Sequence, residues 1–276
     1  MIEFPEVVTL ARQMNETLAG RRITSVSIAK DRPKFMFLNE NLGDYEARLP
    51  GRAITEATAR GKWIFSTLDN GMILLLGEMF GRILYVPPDR EPPKKVHATV
   101  TFDSGGRLAV TIQAWGGFHV LTPEELSDHP HVGQQGPSPT DKAFTPGRFS
   151  EILEERDAWN RKPIKAFLVH EGNVAGIGNG YLQDILFRAR LSPKRKVPDI
   201  DSRERARLHR AIVDAMTEAI EQGGRDTEKD LFGNPGRYTP ILDRHAKDQP
   251  CPRCGTPIER IQYLGGSCYL CPSCQT

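Results

Sequence analysis

The chain has 276 residues, enough for two domains or for one large domain with an added module. Its 38% hydrophobic and 26% charged content is that of an ordinary soluble globular protein, and no apolar run reaches the length of a membrane span. The formal net charge is +2, which excludes a global basic field. Any nucleic-acid surface must come from local clusters such as Arg161-Lys162-Pro163-Ile164-Lys165 or Arg188 to Lys196.

In chain order, a first helix is predicted over about residues 5–19, with Val8, Ala11 and Leu18 on one face and Gly20 as its stop. The following segment reads as β. Ile23–Ile28 alternates around Val26. Trp63–Leu68 and Met72–Leu76 flank Asp69-Asn70-Gly71, a hairpin turn because Asn-Gly accepts positive φ. Val96–Phe102 and Leu108–Ile112 flank a second turn at Asp103-Ser104-Gly105-Gly106. Paired hairpins of this kind predict a β-sandwich, and with the helices that follow an α+β protein. Residues 129–150 are rich in Pro, Gly and polar residues and read as an interdomain linker.

Beyond it the pattern is helical. A glycine-rich turn, Gly176-Ile177-Gly178-Asn179-Gly180, feeds an amphipathic helix; its free N–H groups suit an anion, although a tight interhelical turn reads the same way. The clearest helix is predicted over about residues 202–222. Asp201 and Glu204 start it, Leu208, Ile212, Ala215, Met216, Ala219 and Ile220 form its apolar stripe, and Gly223-Gly224 ends it.

The chain closes with two Cys-x-x-Cys pairs, Cys251/Cys254 and Cys271/Cys274, separated by 16 residues. Four thiolates at that spacing suit a tetrahedral zinc site on a β-ribbon. The alternative is a pair of disulfides, but no secretory signal points to an oxidising compartment, and a cytoplasmic location is expected. Cys268 breaks the spacing and reads as a bystander. The expected division is 1–128 sandwich, 129–150 linker, 151–245 helical domain and 246–276 zinc finger.

Together these pieces resemble the bacterial formamidopyrimidine-DNA glycosylase/endonuclease VIII family over nearly the whole chain. The resemblance lies in Ile2-Glu3-Phe4-Pro5-Glu6-Val7 at the start, in Pro163-Ile164-Lys165 with Gly176-Ile177-Gly178-Asn179 in the middle, and in Cys251–Gln275 at the end. It implies a sandwich, a helix–two-turn–helix domain and a finger, with damaged or abasic duplex DNA as partner, one structural zinc, and a monomer. In that family an N-terminal proline amine attacks C1′ of a flipped nucleotide. The resemblance makes Glu3 the proton-transfer group, Glu6 the residue orienting the N-terminus, and Lys62 a catalytic-site contact to phosphate and sugar. It makes Met79 the wedge behind the flipped base, and Lys165 and Asn179 the contacts to flanking phosphates.

The chain departs from the pattern at informative places. The catalytic proline position is Ile2, a bulky residue that disfavours removal of Met1, so the α-amine of Met1 is expected one residue out of register. The family's arginine-bearing intercalating loop reads Gln113-Ala114-Trp115-Gly116-Gly117-Phe118; Phe118 is kept, and Trp115 offers a stacking surface. The finger arginine is replaced by Gly266. Two readings follow: a base-excision glycosylase with weak or absent AP-lyase activity, or a non-catalytic binder of damaged, abasic or distorted DNA.

Overall fold

The computed structural model describes residues 1–155 and 161–276. They form two compact units, Met1–Gln134 with Gln222–Arg237, and Gln135–Glu221 with Tyr238–Thr276. The expected division differs at the segment after the long helix: expected in the helical domain, residues 222–237 fold with the first unit, and Leu231 joins its core.

The first unit begins with α1 (Phe4–Leu18), whose buried face is set by Val7, Leu10, Ala11, Met14 and Leu18, with Val8 at the margin. Two sheets follow. One orders β1 (Ile23–Ile28), β7 (Ala98–Phe102), β8 (Arg107–Ile112) and β6 (Gly81–Val86). The other orders β2 (Met36–Leu38), β9 (Gly116–Leu121), β5 (Ile73–Gly77), β4 (Trp63–Leu68) and β3 (Ile54–Arg60). Among the described residues, the strand pairs are antiparallel except β2–β9. One apolar cluster draws on both sheets and α1: Val100, Phe102 and Val110 from the first sheet meet Ile64, Leu76 and Val120 from the second. Both predicted hairpins form, with Gly71 and Gly105 at φ +82° and +77°. Short helices α2 (Leu42–Arg48) and α3 (Pro123–Asp128) flank the second sheet's strands in sequence.

The second unit packs α4 (Pro146–Glu155), α5 (Ile164–Leu168), α6 (Asn179–Ala189) and α7 (Ser202–Glu221) around Phe149, Phe167, Tyr181, Leu182, Leu208 and Ile212. The α7 start is the predicted capping box: Glu204 N–H donates to Asp201 Oδ1 at 2.8 Å and Asp201 N–H to Glu204 Oε2 at 3.0 Å. Asp184 on α6 accepts from the Tyr238 hydroxyl and from the amides of Ile241 and Leu242, which ties the chain after α7 back to the helices. Burial pushes its carboxyl pKa up. Strands β10 (Glu259–Tyr263) and β11 (Gly266–Leu270) form the terminal ribbon.

The 129–150 stretch is not a free linker. His129, Val132, Ser138 and Phe144 are buried, and α4 starts inside it. In the first unit its beginning seals the outer face of the second sheet: Trp63 stands 5.6 Å from the His119 ring and 5.7 Å from His129, and His119 Nδ1 meets His129 Nε2 at 2.7 Å. That bond holds one proton between two nitrogens; a proton on each would set two donors face to face. Burial lowers the His119 pKa to about 4, and that of His129 falls for the same reason. Since the unfolded imidazole titrates near 6.5, the unfolded chain takes up protons that the native one refuses, and stability falls as pH drops from about 6.5 to 4. The His119 contribution to that loss is on the order of 3 kcal/mol. Urea unfolding at pH 7 and pH 4.5 is expected to show a larger loss in the wild type than in His119→Gln; equal losses would refute the assignment.

Candidate active site and metal centre

The N-terminus of α1 lies against the loop that follows α7, within the first unit. Glu3 and Glu6 form a capping box: the Glu3 carboxylate accepts from the Glu6 N–H, and the Glu3 N–H donates to Glu6 Oε2 at 2.8 Å. Both side chains are 2% exposed, and Arg225 faces both, with Nη1 3.6 Å from Glu3 Oε1 and Nε 3.2 Å from Glu6 Oε1. The Arg225 amide also donates to Glu6 Oε1 at 2.9 Å, and its Nη2 donates to the Met1 carbonyl at 2.7 Å. The Met1 amine donates to Glu228 Oε1 at 2.8 Å. Ile2 is buried, and its N–H donates to the Met79 carbonyl. Gly224 makes the approach possible: at φ +90°, a Cβ there would sit 2.8 Å from Glu6 Cγ.

Sequence reasoning brought Met1, Ile2, Glu3 and Glu6 together, and the structure does the same. It missed Arg225 and Glu228, for which the sequence offers no local signal beyond the preceding glycine pair. The other first-unit candidates differ in exposure. Lys62 is buried at the β3–β4 turn. Met79 is fully buried in the core, whereas its neighbour Phe80 is 37% exposed and meets Trp115 at 5.5 Å between ring centroids. Phe118 is also fully buried, against Tyr45. Trp115 is 42% exposed.

In the second unit, Lys165 and Asn179 come together at the terminal ribbon. Lys165 is buried; its Nζ donates to the Tyr263 carbonyl at 2.6 Å and lies 3.3 Å from Cys268 Sγ. Asn179 opens α6, and a Cβ on Gly266 would stand 3.2 Å from its Nδ2 and 3.6 Å from Lys165 Nζ. The position where the resemblance expects an arginine is therefore adjacent to both expected phosphate contacts.

The sulfurs of Cys251, Cys254, Cys271 and Cys274 all lie within 4.8 Å of one another, with Cys254–Cys271 at 3.5 Å and Cys251–Cys274 at 3.9 Å. Zinc–thiolate bonds of about 2.3 Å on a tetrahedron require sulfur separations of about 3.8 Å, so the donor set fits one structural zinc ion. Four protein ligands leave no open position for catalysis. Cys268 lies outside the cluster. The ribbon docks on α6 through Arg253, whose guanidinium stands 4.4 Å from the Phe187 ring centroid, and through Gln183, which bonds Ser267 and Tyr269.

A sheet sandwich, a helix–two-turn–helix unit and a four-cysteine ribbon define a three-part architecture, and known proteins share it. Residues 1–113 match the formamidopyrimidine-DNA glycosylase N-terminal domain, 135–230 the H2TH domain of the same glycosylase, and 248–276 the zinc finger found in FPG and IleRS. Formamidopyrimidine-DNA glycosylases of Chloroflexus aurantiacus and Desulforamulus reducens are 34% and 32% identical over 100% of this chain and 98% and 99% of their own. Among solved structures, Lactococcus lactis Fpg in complex with abasic-site DNA superposes with a TM-score of 0.87 at 25% identity, over 99% of each chain. Thermus thermophilus MutM (Fpg) gives 0.83 at 29%, over 99% of this chain and 98% of its own. The chain belongs to the formamidopyrimidine-DNA glycosylase family. Among the described residues, no helix is long and apolar enough to cross a membrane.

Proposed function

We propose that this protein binds damaged or abasic duplex DNA and removes a base by a Glu3-dependent hydrolytic route, with little or no AP-lyase activity. The observation that carries the reading is the Met1 amine held 2.8 Å from Glu228, next to a buried Ile2 where the family has its proline. An α-amine attacks only if its lone pair reaches C1′ at about 3–3.5 Å, and an error of about 1 Å costs about a hundredfold. A retained Met1 displaces the amine by up to about 3.5 Å along the chain. In the hydrolytic route a water attacks C1′, its proton passes to the Glu3 carboxylate, and the N-glycosidic bond breaks with its electron pair going to the departing base. Lys165 and Asn179, with the ribbon beside them, are the proposed phosphate-side contacts, and Lys62 and Trp115 the proposed contacts of the sandwich, whereas Met79 and Phe118 sit in its core. Glu6 orients the N-terminus through the capping box.

A specific observation favours the second reading, a non-catalytic binder. The Glu3 carboxylate is already engaged by the Glu6 amide and faced by Arg225. Base release from a panel of oxidised duplexes decides between the two. Under the glycosylase reading the wild type releases a base and Glu3→Gln does not; release that survives Glu3→Gln would refute the assigned route, and binding without any release would establish the binder.

A further inference from the structure

On the outer side of the four-stranded sheet, β6 and β8 line a pocket of about 740 Å³ with the segments around residues 31–33 and 93–97. Its charged wall carries Arg82, Lys94 and Lys95 against Asp31, with His97 and Gln113 beside them. In a chain whose total formal charge is +2, three cations to one carboxylate on a single pocket is a pronounced local excess. None of the three cations has an ion-pair partner among the described residues. His97 is fixed rather than free, since its Nδ1 accepts the Ile112 N–H at 2.8 Å.

Exposed aromatic rings stand at the end of this pocket. The N–H groups of Gln113 and Ala114 both donate to the Phe80 carbonyl, so the Gln113 end of the pocket and the Phe80–Trp115 pair share one backbone knot. Gly116 N–H donates to the Phe35 carbonyl, which brings in a second pair: Phe35 and Phe37 are each more than half exposed, with ring centroids 6.4 Å apart and Lys34 Nζ 6.0 Å from the Phe35 ring. Four solvent-facing aromatics beside unpaired cations form a patch of the kind that marks an interaction site. Planar rings for stacking next to cations spaced along a groove match the chemistry of a nucleobase attached to its phosphates.

We infer that this pocket and the Phe80–Trp115 pair form a second nucleic-acid site, one that takes a segment of single-stranded DNA, with bases stacked on the rings and phosphates on Arg82, Lys94 and Lys95. The inference rests on the nucleic-acid reading above and shares only Trp115 with its contacts. Stacking on Trp115 makes the site tolerant of base identity, and the lysines make it salt-sensitive.

The test is fluorescence anisotropy with a labelled 12-residue oligodeoxythymidine, alongside a labelled abasic duplex. Trp115→Ala and Phe80→Ala are each expected to weaken oligothymidine binding about tenfold, the size of one lost stacking contact, while Trp115→Phe retains affinity within about threefold. The double variant Lys94→Ala/Lys95→Ala is expected to lower the log–log salt slope by about 1.4, at about 0.7 per phosphate released from single strands. Asn179→Ala should weaken the duplex and leave oligothymidine unaffected. Loss of binding in the lysine variant with none in the two alanine variants would mean nonspecific charge attraction and overturn the site, as would no oligothymidine binding beside normal duplex binding. Oligothymidine binding without any duplex binding would sink the duplex reading and leave this site standing.

Discussion

Cys271→Ser is expected to strip the metal and unfold the terminal ribbon while the two sheets remain folded. The reason is the scarcity of other support. Strand β10 has no buried residue, and the local apolar cluster holds little beyond Phe187, Leu242, Ile258 and two of the ligands themselves. A module that small draws its folding free energy from metal binding, which in isolated zinc fingers amounts to about 10–16 kcal/mol. Metal analysis should find one zinc per wild-type chain and none in Cys271→Ser, and limited proteolysis should then open the chain within 246–276. Cys268→Ser should keep the ion, since its sulfur faces Lys165 instead of the cluster. A wild-type chain without zinc, or one that needs Cys268 to hold it, would refute the assignment.

Arg225→Ala is expected to destabilise the first unit by on the order of 3 kcal/mol, because it removes the guanidinium that faces two buried carboxylates and leaves desolvated negative charge behind. The same guanidinium bonds the Met1 carbonyl, so the variant should also loosen the N-terminus. Arg225→Lys keeps the charge but loses the fork that spans Glu3, Glu6 and Met1, and should recover only part of the loss. Denaturation midpoints of the three proteins, with selective acylation of the N-terminal amine read by mass spectrometry, check both parts. A variant as stable as the wild type, with an equally protected amine, would show that the pairing contributes nothing.

Those two sites differ in how far the sequence announced them. The cysteine pairs, the Asn70-Gly71 turn and the Asp201/Glu204 box are local: each needs only residues a few positions apart, and all three form as expected. Arg225 has its carboxylate partner 219 positions away, and no periodicity encodes such a pairing. The short β2 escaped for a related reason, since it pairs with β9, in parallel, far along the chain. Met79 is a different case: its assignment rests on the motif resemblance, which carries no information on burial, and past the corner at Glu78, which holds φ +44°, Met79 is buried and Phe80 exposed. The expected linker misled because composition registers its Pro and Gly content but not the anchoring of single residues such as Val132 and Phe144.

The N-terminal amine of this chain is expected not to act as the nucleophile. Borohydride trapping on an abasic duplex tests it directly, because reduction captures any Schiff base between amine and sugar as a covalent adduct. With intact-mass analysis establishing whether Met1 is retained, the wild type is expected to bind the duplex yet form little or no trapped adduct, and Ile2→Pro, which permits removal of Met1 and restores a secondary amine in register, is expected to form more. Efficient trapping of the wild-type protein, with the adduct mapped to the α-amine of Met1 or Ile2, would contradict it.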